Sequence, residues 1–380
     1  MKKTLILMGL SLTSALLAAP ALARRDYPTG DRTGTHSLSD LSAITNQTIN
    51  EFGREAVADS INADLEAHNV RMTEMTMGFA DQTTEREEPQ PINDDARAKR
   101  VDEVGRVSTK KADPPGKVGY PLDTNQYAVG WTADYLLTAT PAEMATTVLT
   151  AELAMLQEHI SGIRGALMNP VNYTHFGYVD DKTETSVKAL YNGDGQVPPR
   201  SPNLTNFTGS HNHYLASATL TEAVASALVM TVAEHTINGN LVTLINPADA
   251  AAWKALSGFV PLMDARVRVA LDQSAGVAGL DTANATERDI GYYDGSVVRT
   301  RGWIPVGYSI CQDVNATSKV LRRRVPRQPV RQGLRVYTGG FVFPLQADYF
   351  VEQFGYGVRN RGAAAVLDFS HVSYTKPAGL

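Results

Sequence analysis

The chain has one cysteine, Cys311, among 380 residues, which excludes an intrachain disulfide framework and any multi-cysteine zinc or iron–sulfur site. Stability has to come from packing or from assembly, and dithiol redox chemistry has no second thiol to use. A surplus of positive charge is also missing. Lys and Arg number 35 against 40 Asp and Glu, a net charge of −5, which excludes a protein whose whole surface coats nucleic acid. Past the N-terminal segment nothing stays apolar over the roughly 18 residues a bilayer span needs. No internal repeat is present, and neither HExxH, GxSxG, a Walker loop nor GxGxxG after a strand occurs.

What remains is an ordinary globular composition, 43% hydrophobic and 20% charged, in a length that suits two or three units of about 150 residues each. The N-terminus stands apart. Lys2 and Lys3, an apolar stretch over residues 5–19 and then Pro20-Ala21-Leu22-Ala23 have the layout of a secretory signal with a small-x-small cleavage site. Taken alone, residues 1–23 point to a secreted periplasmic or cell-surface binding protein.

Apolar positions Leu38, Leu41, Ile44, Ile49, Phe52, Val57, Ile61 and Leu65 predict amphipathic helix broken near Gly53. Residues 81–117 hold nine acidic and eight basic residues with almost no aliphatic content, so this stretch cannot bury itself. Thr140-Pro141-Ala142-Glu143 is a helix start. Met144, Val148, Leu149, Leu153, Leu156, Ile160, Ile163 and Leu167 carry that helix to Met168, and Asn169-Pro170 stops it. Short strands follow at 174–179 and 186–190, and an α/β pattern begins near Thr219: a helix, a buried strand at 241–245, and a helix capped by Asn246. A Gly/Ala-rich stretch at 274–286 precedes strands around 290–300 and 304–313. Alternation over 333–342 and 349–369 predicts antiparallel sheet.

Chemistry is sparse. His211-x-His213 is the one close histidine pair, and on a Ser/Asn/Gly loop two locally bonded imidazoles outweigh a metal site. Cys311, in Tyr308-Ser309-Ile310-Cys311, reads as filler in an apolar strand. The pairs Glu87-Glu88 and Asp94-Asp95 sit in solvated polar sequence. No catalytic, metal or cofactor-binding residue is assigned. The informative charge is basic: Lys319, Arg322, Arg323, Arg324, Arg327, Arg331 and Arg335 stand in seventeen residues without one acid. Phosphate and the acidic patch of an adjacent subunit are equally good partners for such arginine forks, and a solvated loop is the third reading.

The motifs Ile304-Pro305-Val306-Gly307-Tyr308, Lys319-Val320-Leu321-Arg322, Gln332-Gly333-Leu334, Phe343-Pro344-Leu345, Tyr349-Phe350 and Phe354-Gly355-Tyr356-Gly357-Val358-Arg359-Asn360-Arg361-Gly362 resemble, in this order, the C-terminal part of major capsid proteins of tailed double-stranded DNA phages. Leu65-Glu66-Ala67-His68, Val101-Asp102-Glu103 and Thr140-Pro141-Ala142-Glu143 look like the same family, and the likeness runs from about residue 38 to 369. It implies an α+β, Hong Kong 97-type phage capsid fold, shared with encapsulins. The N-terminal arm would be 24–72 and the extended loop 73–131. A peripheral domain at 132–214 would carry the spine helix 140–168, an axial domain would fill 215–313, and 314–380 would return as peripheral strands. It further implies a non-enzymatic shell subunit of the virion, assembled in the host cytoplasm, with no cofactor and no membrane. Its partners would be itself in hexamers and pentamers, packaged double-stranded DNA, and portal, scaffold and decoration proteins. The basic run would touch DNA or a neighbouring capsomer. An encapsulin-like compartment for protein cargo is the near alternative.

Some shells of this fold join a loop lysine to an asparagine of a neighbour. Lys110, Lys111 and Lys117 lie in the presumed inter-subunit loop and Asn360 in the closing strands, but nothing nearby marks the apolar pocket a nucleophilic lysine needs. Non-covalent shells are therefore expected, and, since a shell assembled in the cytoplasm has no use for a secretory signal, residues 1–23 are expected to stay attached or to be removed only on assembly. The intact mass of subunits from boiled particles checks both: one species near 41.1 kDa is expected, whereas covalent multimers, or loss of the first 23 residues with protein in the periplasm, would contradict them.

Overall fold

The computed structural model describes residues 37–90, 100–101, 103, 105, 116–237, 239–262, 287–339 and 345–380. The signal-like residues 1–23, most of the polar loop between 91 and 115 and the Gly/Ala-rich stretch 274–286 lie outside the described residues. In chain order the helices are α1 (Leu38–Ser42), α2 (Ile49–Phe52), α3 (Arg54–Thr76), α4 (Ala133–Thr138), α5 (Pro141–Met168), α6 (Glu222–Ala233) and α7 (Ala250–Lys254). The strands are β1 (Ala80–Thr83), β2 (Glu87–Pro89), β3 (Lys117–Gly119), β4 (Asp123–Thr132), β5 (Tyr173–Phe176), β6 (Glu184–Val187), β7 (Tyr214–Ala216), β8 (Leu241–Ile245), β9 (Val260–Pro261), β10 (Asp289–Tyr293), β11 (Ser296–Thr300), β12 (Tyr308–Asp313), β13 (Leu321–Arg324), β14 (Arg335–Thr338), β15 (Leu345–Val358) and β16 (Ala364–Asp368).

One local device starts α1, α2 and α5: Ser or Thr followed three residues on by Asp or Glu. Ser37 with Asp40 and Thr48 with Glu51 form reciprocal capping boxes. At Thr140 the backbone N–H donates to Glu143 at 2.9 Å and the hydroxyl accepts from the Glu143 N–H at 3.3 Å. Each box satisfies N–H groups that a first helical turn leaves without partners. Gly53, at φ +117, separates α2 from α3, so the expected break falls where only glycine fits comfortably.

Contacts gather the chain to Met75, Thr124–His159 and Gln328–Gln353 into one unit. Leu38, Leu41, Phe52, Val57 and Leu65 pack there with Val148, Ala151 and Met155 of α5 and with Leu334 and Phe350. β14 pairs antiparallel with β15 from Arg335↔Val351 to Thr338↔Asp348. Inside, Trp131 donates its indole N–H to Asp348 at 3.0 Å, and the His159 imidazole lies 3.0 Å from the Glu352 carboxylate with both side chains buried. Leu149 and Leu153 are among the recurring apolar residues that predict α5, yet they are 49% and 54% exposed. Ala145, Val148, Ala151 and Met155 form the buried stripe instead, so this part of the helix carries apolar residues on two faces.

The second unit comprises Thr76–Asp123, Ile160–Arg327 and Phe354–Leu380. Its main sheet has the order β7-β16-β12-β8-β11-β10-β9. β11 runs parallel to β8, β12 runs antiparallel to both β8 and β16, and β7 runs parallel to β16. β8, β12 and β16 bury every residue. Because side chains alternate across a strand, Leu241, Ile245, Cys311, Ala365 and Leu367 face the α6 residues Ala225, Leu228, Val229 and Val232. Val242, Leu244, Ile310, Ala364 and Val366 face the opposite way, into a core with Ile163, Leu167 and Met168 from the end of α5. The β10–β11 hairpin turns at Asp294-Gly295 with φ +47 and +79, the two-residue turn whose twist suits paired strands. Strand 304–313 of the sequence reading begins only at Tyr308, because Ile304 to Gly307 form a turn. A separate ribbon joins β5 and β6 antiparallel from Tyr173↔Val187 to Phe176↔Glu184.

β15 passes close over the chain at 119–122. A Cβ on Gly355 would lie 2.3 Å from the Pro121 carbonyl oxygen, and one on Gly357 would lie 2.9 Å from that of Gly119. Gly165, within α5, has nothing in that range. Denaturant unfolding of Gly355→Ala is therefore expected to show a loss of about 1–3 kcal/mol from overpacking. Gly165→Ala is expected to gain up to about 1 kcal/mol from helix propensity. Equal effects at both positions would contradict the close approach.

Candidate functional site

The basic run begins on β13, which lies parallel to β1 with Asp81 opposite Arg322, Gln82 opposite Arg323 and Thr83 opposite Arg324. That register brings the acids of the charged stretch to the arginines. The Arg322 guanidinium is ion-paired with Asp81 and donates from Nε to Glu88 at 3.1 Å. Burial works against its charge, but Glu88 and Asp81 overcome this and hold its pKa above the ordinary arginine value. Arg323 is buried and donates to the Thr76 hydroxyl and the Gln82 amide oxygen, both at 3.2 Å. Arg324, only 1% exposed, donates to the Tyr120 carbonyl at 3.1 Å and pairs with Asp181.

The seven cations therefore sort into different environments. Arg322, Arg323 and Arg324 are held by their own chain, and Lys319 reaches the Val314 carbonyl. Arg335 donates to the carbonyls of Gln332 at 3.0 Å and Pro329 at 3.2 Å. Arg327 is exposed and Arg331 half-buried. The outward charge is thus smaller than seventeen residues of sequence suggest. Of the loop lysines, Lys110 and Lys111 lie outside the described residues, while Lys117 on β3 is ion-paired with Glu87 at 2.6 Å.

Cys311 occupies the strand position expected of filler. It is fully buried, and burial pushes its thiol up to about 12, so little thiolate forms. His211 and His213 do approach each other, with Nε2 atoms 3.0 Å apart, and a residue absent from the sequence reading joins them. His235, just past the end of α6, places its Nε2 3.0 Å from that of His211 and 3.1 Å from that of His213. Burial lowers the pKa of all three imidazoles, that of His235 to about 4, so they stay neutral at neutral pH. The signal available in sequence was His235 directly after an amphipathic helix; its spacing from His213 matches no ligand motif.

The sequence matches no protein-family model and no curated protein. Among solved structures, a chain from Mycobacterium phage Patience is similar with a TM-score of 0.63 and 20% identity, over 92% of this chain and 97% of that one. The chain has the Hong Kong 97-type fold. Weaker likenesses join this Hong Kong 97-type chain to the capsid of a native GTA particle, at 14% identity over 79% of this chain and 90% of that one, TM-score 0.46. An encapsulin complex from Synechococcus elongatus is similar at 15% identity over 70% and 79%, TM-score 0.39. The α+β class expected from the sequence is the class observed, and among the described residues no helix is long and apolar enough to cross a membrane.

Because the central arginines are internal ties, replacing them should unfold the protein before it alters any outside contact. Arg324→Met leaves Asp181 and the Tyr120 carbonyl without their cation, and a loss of about 3 kcal/mol or more is expected by denaturant unfolding. Arg327→Gln, on the surface, is expected to stay within about 0.5 kcal/mol of the parent. A stable Arg324→Met protein would show that the buried pair contributes little.

Proposed function

We propose that this chain is a shell-building subunit, the major capsid protein of a tailed double-stranded DNA phage. Its copies gather into hexamers and pentamers and close an icosahedral virion shell around the genome. The observation that carries this reading is the likeness to a phage chain over nearly the whole length of both proteins. The exposed Leu149 and Leu153 support it, since apolar side chains standing one helical turn apart suit burial against a second copy. In this reading the inter-subunit loop lies within residues 73–131, although β1 and Trp131 in that range pack within their own chain, and the exposed Arg327 is the member of the basic run that reaches DNA or an adjoining capsomer. Arg322, Arg323 and Arg324 keep the subunit folded. Portal, scaffold and decoration proteins complete the partner set. The role is structural rather than enzymatic.

Negative-stain electron microscopy of the purified protein tests the reading directly, with closed shells expected. Changing Leu149→Glu and Leu153→Glu together is expected to leave the thermal transition of the subunit within a few degrees while abolishing shells, because both positions already face away from its own core. Monomers at all concentrations from the unaltered chain would overturn the proposal. Intact shells from the double variant would remove this face from the contact.

A further inference from the structure

His211, His213 and His235 meet at a point that hydrogen bonding cannot satisfy. An imidazole nitrogen is either a donor or an acceptor. In a triangle of three such atoms at least one edge must join two of the same kind, and here every edge is 3.0 or 3.1 Å. The neighbours sharpen the conflict. His213 Nδ1 lies 2.6 Å from the Ala364 carbonyl and must donate to it, which leaves Nε2 of the neutral ring as a lone pair. His211 Nε2 lies 3.4 Å from the Glu234 carboxylate and can carry a proton for it. If His235 Nε2 is then an acceptor it faces the His213 lone pair, and if it is a donor it faces the His211 proton. No assignment of protons removes the repulsion.

We infer that the three histidines bind a divalent transition-metal ion of the zinc class. A cation turns all three nitrogens into lone-pair donors aimed at one centre, which resolves the conflict. Zinc sits about 2.0–2.1 Å from each imidazole nitrogen, which in an ideal tetrahedron sets the nitrogens about 3.3–3.4 Å apart; the observed 3.0–3.1 Å is slightly tighter and corresponds to nitrogen–metal–nitrogen angles of about 95–100°. The His213 Nδ1–H bond to a backbone carbonyl is the outer contact that metal-bound imidazoles characteristically make, since it fixes the tautomer and the ring plane. Glu234, 3.4 Å from His211 Nε2, stands beside the cluster as a fourth ligand through its carboxylate oxygen, or leaves that position to water.

The surroundings are built to hold the rings. Phe207 lies against His235 at 4.5 Å between ring centroids and against His211 at 4.6 Å, and the Tyr191 ring is 5.5 Å from His213. Gly362 lets His235 come close, since a Cβ there would lie 2.9 Å from its ring. The neighbouring cation, Arg361, is occupied by Asp194 at 3.0 Å and by the carbonyls of Ala189 at 2.7 Å and Leu190 at 3.1 Å. The His213 side chain is wholly buried, while that of His211 keeps 16% exposure and gives an ion its way in. Such an ion would tie the loop carrying His211 and His213 to the end of α6, a staple of the kind the single cysteine cannot supply. The inference stands on the fold of one chain and does not rest on the proposed function.

The test uses the full chain without a histidine tag, stripped with a chelator and titrated with Zn²⁺ by calorimetry and with Co²⁺ by visible absorption. One equivalent per chain, ligand-field bands with Co²⁺ and a raised thermal transition with Zn²⁺ are expected. His235→Gln keeps the volume and polarity of the site and should weaken Zn²⁺ about 100-fold or more, beyond the roughly 10–100-fold that changes outside the ligand shell cost. Gly362→Ala, which pushes on the His235 ring from behind, should weaken it by about tenfold. No saturable binding by the unaltered chain, or equal affinity in the folded His235→Gln protein, would overturn the inference.

Discussion

Strands β8, β12 and β16 bury every side chain they carry, and a sheet centre of that kind needs apolar cover on both faces. The two covers are different helices: α6 supplies one, and the last turns of α5 the other. This constraint explains why the α6 residues and the end of α5 are apolar where they are, and why Cys311 sits inert beneath Ala225 and its neighbours. It also explains the chain order of the sheet. β16, the last strand, lies inside the sheet between β7 and β12, so the C-terminal part of the sequence has to be in place before the sheet is complete.

Charge in this unit is organised by the same economy of burial. Buried guanidinium groups are tolerated when most of their donors find oxygens: Arg324 bonds the Tyr120 carbonyl and the Asp181 carboxylate while its Nε stays without a partner among the described residues, and Arg361 bonds the Ala189 and Leu190 carbonyls and the Asp194 carboxylate. Arg322 links β1, the chain beyond it and β13 by bonding Asp81 and Glu88 together. The acids of the polar stretch are therefore partly the counter-ions of the basic run. Asp81 and Glu88 of the polar stretch and Arg322 of the basic run, far apart in sequence, neutralise one another in three dimensions.

What could be read from the sequence was local. The start of α5 at Thr140-Pro141, its stop before Asn169, the break at Gly53 and the strand at Leu241–Ile245 each depend on capping, proline or glycine geometry and periodicity, all contained within a few residues. What could not be read was the partner of a side chain. Arg322 and Asp81 are 241 positions apart, and His211 and His235 are 24 apart with a helix between them. Nor does periodicity distinguish a face covered by the chain itself from one left open, so Leu149 and Leu153 predict α5 as well as the buried Val148 does. The resemblance of the C-terminal motifs supplied the fold class, because ordered motifs carry topology that no single window holds.

The β5–β6 ribbon is the opposite case to the sheet centre. Its two strands pair with each other, Tyr173 and Phe176 are about two-fifths exposed, and Tyr178 at its turn is 77% exposed. A two-stranded ribbon of this kind is marginal on its own, and it is anchored where Gly119 meets Thr185 and Ser186, where the Leu122 N–H donates to His175 at 3.4 Å, and through the buried Val187. Local opening there exposes little apolar surface, whereas freeing an amide of β12 requires parting both of its neighbours and both helical covers. The chain is accordingly graded in time as well as in space: amide exchange and proteolytic nicking would begin at the ribbon and reach the Ile310 and Leu244 amides only through near-global unfolding.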